Sequence, residues 1–178
     1  MKYIALLRGI NVGGNSIIKM SDLKKVFEEN GLESVSTYIN SGNVLFQTEE
    51  KNQVKLEKIL EEAVSKNFGV KNPIVVISYD ELKTIVNEVP KNWKTNEDIR
   101  KYIAFVKKPY SASDVLKDTE IKEDIDFVTS GKGAVYWSTL LSGITKSKLS
   151  KISTKKIYKF VTIRNFNTVQ KLLKLTED

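Results

Sequence analysis

Three short segments of this chain carry residue types from which an anion site is built. The first is Arg8-Gly9-Ile10-Asn11-Val12-Gly13-Gly14-Asn15-Ser16, with Lys19 close behind. Gly9, four residues and Gly14 approach the spacing of a phosphate-binding loop. Glycine permits positive φ and a close backbone approach to a ligand. Backbone N–H groups at a helix start attract negative charge. Asn15 stands where that loop needs a lysine for the terminal phosphates, so nucleotide hydrolysis by this route is not expected. The second segment, Asn40-Ser41-Gly42-Asn43, offers amides and a hydroxyl. The third, Arg164-Asn165-Phe166-Asn167-Thr168, adds a guanidinium able to grip a phosphate or carboxylate through two parallel bonds. The same residues also serve as turns and helix caps. A common site requires the fold to bring the three together, and the expectation is one shared cleft.

The chain excludes several chemistries outright. It has no Cys and no His. Disulfides, thiolate nucleophiles and histidine-based triads are therefore absent, and so are most zinc sites. An acid or base would have to be Asp, Glu, Lys or Tyr with a displaced pKa. Glu57, Glu61 and Glu62 read as a solvated helix face. No metal site, cofactor or catalytic residue is assigned.

The loops need elements to hold them. Tyr3 to Leu7 reads as a buried strand. Ser21 reads as the cap of a helix with Leu23, Val26 and Phe27 inward, ending at Gly31. Val35 to Ile39 and Val44 to Phe46 flank the Asn40 turn. Leu56, Ile59, Leu60, Ala63 and Val64 have helical spacing before Gly69, and Pro73 to Ile77 is a further strand. The order β-α-β-β-α-β is the ferredoxin-like pattern. Ser78 and Glu81 form a capping box for a helix that Pro90 stops. Beyond a polar connector near Asn92 to Asp98 a looser echo follows. It has a strand at Tyr102 to Val106, a short helix at Ser113 to Lys117 and a hairpin around Gly131 to Gly133. A helix at Lys146 to Ile152, a strand at Phe160 to Ile163 and a last helix at Val169 to Leu175 complete it. The reading is an α+β protein of two packed ferredoxin-like lobes with largely antiparallel sheets. The N-terminal lobe with its linker helix takes residues 1–90, and a strongly basic α+β lobe takes residues 99–178.

Charge is the other signal. Between Phe127 and Thr176 there are nine Lys, one Arg and no acidic residue, and the net +7 arises there. Such asymmetry points to an anionic partner. Lys146, Lys148, Lys151, Lys155, Lys156 and Lys159 alternate with apolar and aromatic residues. A nucleic acid would use the lysines on phosphates and stack bases on Tyr136, Trp137 or Tyr158. Core packing of Tyr136 and Trp137 is the plainer reading. No aromatic signature of an RNA-recognition sheet is present. The expected function is binding of a phosphorylated or polyanionic ligand, a nucleotide or nucleic acid. The ligand-binding candidates are Arg8, Asn11, Gly13, Gly14, Lys19, Asn40, Ser41, Gly42, Asn43, Arg164 and Asn165. The alternatives are an enzyme for a small anionic substrate, with Arg8, Lys19 or Arg164 as clamps, and an interaction protein docking an acidic partner. No apolar run approaches the roughly 20 residues of a membrane span. The N-terminus reads as a strand rather than a signal peptide, so a cytoplasmic protein without membrane contact is expected.

The three segments also carry a family resemblance. Tyr3 to Gly14 with Lys19-Met20, Thr37 to Val44 and Arg164 to Val169 resemble three motifs of the "domain of unknown function 1697" family of bacterial proteins. The resemblance implies an α+β fold with ferredoxin-like elements, and that the three motifs belong together. It supplies no substrate and no catalytic residue.

Overall fold

The apolar runs of the sequence become two four-stranded antiparallel sheets. The computed structural model describes residues 1–12 and 17–177. The chain divides into two compact units, residues 1–82 with 172–178 and residues 83–171.

In the first unit, β1 (Lys2–Leu7), α1 (Met20–Glu29), β2 (Glu33–Tyr38), β3 (Asn43–Gln47), α2 (Gln53–Phe68) and β4 (Ile74–Ser78) follow one another. The sheet order is β2-β3-β1-β4, the ferredoxin-like arrangement. Strand alternation puts Tyr3, Ala5, Leu7, Val44, Phe46, Ile74 and Val76 in one core with Leu23 and Phe27 of α1 and Leu56 and Leu60 of α2. The Tyr3 and Phe46 rings stack at 5.8 Å, and Phe27 meets Phe46 edge-on.

Three local expectations change. Helix α1 starts at Met20 with Lys19 at the cap position and no side-chain cap, so Ser21 lies inside the first turn. The reason is upstream: Asn11 binds both the N–H and the C=O of Ile18, which fixes the entry to the helix. Asn43 is the first residue of β3 and fully buried, not part of an open turn. Its amide donates to the Tyr38 carbonyl and the Ser41 hydroxyl, closing the hairpin from inside. Glu57 and Glu61 are not a solvated face. They accept the backbone N–H groups of Val76 and Ile74, and Glu81 accepts that of Ser78. These three carboxylates satisfy alternate N–H groups of β4, an edge strand whose open donors would otherwise invite pairing with another chain.

Helix α3 (Tyr79–Asn87) follows the Ser78–Glu81 box and ends before Pro90. The second unit then holds β5 (Ile99–Val106), α4 (Ala112–Asp118), β6 (Asp126–Ser130), β7 (Ala134–Leu140), β8 (Val161–Asn165) and the start of α5 (Phe166–Glu177). Its order, β6-β7-β5-β8, repeats that of the first sheet. Ser111 and Asp114 cap α4 reciprocally.

Where a second crossover helix was expected near Lys146 to Ile152, the chain forms three 3₁₀ turns, Leu141–Lys146, Leu149–Thr154 and Lys156–Phe160. Hydroxyl residues explain the change. Ser147 accepts from the Leu149 N–H and Thr154 donates to the Lys151 carbonyl, so side chains compete for backbone groups that an α-helix would use. Ser147, Ser150 and Ser153 recur every third residue; Ser150 and Ser153 share the Leu149–Thr154 turn, where that period puts side chains on one face, and Ser147 lies in the extended link before it. Among the described residues no helix is long and apolar enough to cross a membrane.

Candidate functional site

The first two motifs meet at one end of the first sheet. β3 runs antiparallel to β1, with Asn43 opposite Leu6, so the β2–β3 turn stands where the chain leaves β1. The Leu7 N–H donates to the Gly42 carbonyl at 2.8 Å. Gly42 has φ +75°, and a Cβ there would stand 2.7 Å from Ile10 and 2.8 Å from Leu7. Only glycine fits that contact. Asn11, itself at φ +53°, donates to the carbonyls of Asn40 and Ile18 at 2.8 and 2.9 Å. Asn72, just before β4, donates to the Arg8 carbonyl at 3.0 Å.

This loop end is unusual in backbone and surface. Ile39 adopts φ +49°, rare for a β-branched residue. Val12, Ile17 and Ile39 are exposed, and so are Lys19 and Asn40. Ser41 and Arg8 are half-buried. Gly13 and Gly14 lie outside the described residues.

The third motif belongs to the second unit. Arg164 is buried, and its Nη1 donates to the Ile163 carbonyl at 3.0 Å. Burial pulls its guanidinium down to about 10. It therefore remains a cation at neutral pH, held inside the unit rather than presented to solvent. Asn165 is exposed, and its Oδ1 accepts the Asn167 N–H at the start of α5.

The second unit also has a cavity of about 440 Å³ that no motif signalled. Its floor is one face of the sheet. Alternation along β5 puts Arg100 and Tyr102 on that face, opposite Thr139 and Trp137 of β7 in the ladder. Ile163 of β8 completes the floor. The wall is the 3₁₀ segment, through Ile144, Leu149, Ile152, Tyr158 and the hydroxyls of Ser147, Ser150 and Ser153. Arg100 is exposed at this cavity. Trp137 is only 2% exposed, and its indole Nε1 has no hydrogen-bond partner. The expectation that Tyr136 and Trp137 pack a core holds for both rings, which are equally buried. They face opposite ways: the Tyr136 hydroxyl donates to the Ile85 carbonyl, and Trp137 lines the cavity.

Two carboxylates fasten the wall. Asp126 Oδ2 accepts the N–H groups of Lys148 and Lys122 at 2.9 and 2.8 Å. Burial alone would raise the Asp126 pKa. Bonds from Ser147 and those two N–H groups outweigh burial and hold it below the ordinary aspartate value. Glu120 lies 3.0 Å from Lys155 and 3.3 Å from Lys151, which lower its pKa. Part of the basic segment's charge is thus taken up inside its own unit. The sequence did hold a signal for this site, the three-residue recurrence of Ser147, Ser150 and Ser153. It was hidden because the segment reads equally as an α-helix.

The comparisons agree with this architecture. The family model described as "Protein of unknown function (DUF1697)" matches residues 1–136. The chain is similar to a solved structure, the conserved bacterial protein SP0830 from Streptococcus pneumoniae, at 26% identity and a TM-score of 0.85, covering 98% of each chain. Among curated proteins no relative matches.

Proposed function

This chain belongs to the DUF1697 family, whose membership carries no reaction, and we propose that its second unit binds a small phosphorylated ligand in the cavity beside the basic segment. The observation that carries the reading is the placement of Arg100 on the same face as an apolar, aromatic floor, beneath a wall that carries the hydroxyls of Ser147, Ser150 and Ser153. A guanidinium and hydroxyls are strong partners for phosphate oxygens. A concave apolar space with a few polar groups is the usual form of a small-molecule site, and about 440 Å³ falls within the roughly 300–1,000 Å³ such sites occupy.

A pocketed ligand is favoured over a long polyanion by the pairing of Glu120 with Lys151 and Lys155, which offsets one of the two positive charges that a nucleic acid would need there. The discriminating experiment titrates the protein with nucleoside monophosphates and with single-stranded RNA at about 50 and 200 mM salt. Saturable nucleotide binding with a shallow salt slope is expected, and Arg100→Ala weakens it by about tenfold or more, as for a lost charged hydrogen bond. RNA binding that outcompetes the nucleotides and falls steeply with salt identifies an open basic surface instead, and the cavity reading fails.

A further inference from the structure

Resting on that reading, we infer that the ligand's other end is a flat heteroaromatic ring with a hydrogen-bond acceptor, which makes it a nucleoside monophosphate rather than a phosphorylated sugar or alkyl phosphate. The floor of the cavity is aromatic. Tyr102 and Trp137 are direct cross-strand partners, and Tyr158 faces the same space from the wall. Tyr102 and Tyr158 are half-buried, and partly exposed rings of this kind stack with bases of any sequence. Ile144 and Ile163 add apolar surface that a sugar phosphate would cover poorly.

The decisive group is the Trp137 indole N–H. The ring that carries it lines the cavity, and the N–H itself is buried without a hydrogen-bond partner. A buried donor without a partner is costly and uncommon, so a bound acceptor resolves an otherwise unexplained feature. Nucleobase ring nitrogens and carbonyls are such acceptors, and an alkyl chain has none. Arg100 lies on the Tyr102 side of the same face, two residues along β5, so ring and phosphate are gripped by neighbouring positions of one strand pair. The cavity holds one nucleotide, not a strand.

The test follows the indole cross-peaks of the ¹⁵N-labelled full chain. There are two tryptophans, and Trp93→Phe assigns the Trp137 signal. The probes are AMP, CMP, ribose 5-phosphate and inorganic phosphate. A nucleoside monophosphate is expected to move the Trp137 cross-peak saturably. Ribose 5-phosphate should bind at least about tenfold more weakly, as for one lost hydrogen bond and stacking surface. Trp137→Phe, which keeps a ring and removes the N–H, is expected to lower nucleotide affinity severalfold and leave ribose 5-phosphate affinity unchanged. If ribose 5-phosphate binds as well as AMP and CMP, with the Trp137 signal unmoved, the nucleobase inference is wrong while phosphate recognition stands. If none of the four probes binds, both readings fall.

Discussion

The side-chain amide of Asn11 donates to the backbone carbonyl of Asn40, 29 residues away, at 2.8 Å. With its two bonds to Ile18, this one residue joins the β1–α1 loop to the β2–β3 turn. Removing the side chain leaves three backbone groups to find other partners. Asn11→Ala is therefore expected to lower stability by about 1–3 kcal/mol. Asn11→Gly should cost less, because glycine accepts the positive φ. Urea denaturation with an unchanged m-value would report both, and equal losses would show that the bonds rather than the backbone geometry decide.

Gly42 and Gly69 both have positive φ, but only Gly42 lacks room for a Cβ. Gly69→Ala should cost roughly 1–2 kcal/mol from the left-handed backbone alone. Gly42→Ala adds overpacking against Leu7 and Ile10, a further 1–3 kcal/mol or so. Thermal melts of the two variants should keep that order, and a milder Gly42 variant would mean the turn relaxes away from β1.

The edge of the first sheet gives a third expectation. Glu57 is 6% exposed and bonds the Val76 N–H at 3.1 Å. Glu57→Ala should destabilise by about 1–3 kcal/mol, since it leaves a buried donor unmet. Amide hydrogen exchange at Val76 should accelerate more than at Ala5, its partner in β1. Uniform acceleration through the sheet would indicate global unfolding and no specific edge role.

Asp126 sets an acid-side pH dependence. Its folded pKa lies below the ordinary value, so the unfolded chain takes up the proton first as pH falls. The stability it contributes is complete above the unfolded value, about 3.9, and is lost as pH drops through the folded one. Asp126→Asn should be less stable than the parent at pH 7, with the difference narrowing below about pH 4. A difference that stays constant from pH 7 to about pH 2 would show that charge is not what matters there.

Much of this architecture was legible in the chain. Alternation in Tyr3 to Leu7 and helical spacing in Leu56 to Val64 depend on neighbours a few residues apart, so local sequence determined the first lobe's element order. The absence of Cys and His likewise removed whole reaction classes before any coordinates. Other facts were tertiary. That Glu57 turns inward depends on β4 offering an open edge beside α2, which no local pattern records. That Arg164 is buried while Arg100 is exposed at a cavity depends on strand register, which fixes which face each side chain takes. The 3₁₀ wall stands between the two cases. Its serine spacing is written in the sequence, but only the sheet it covers turns that spacing into one wall of a cavity.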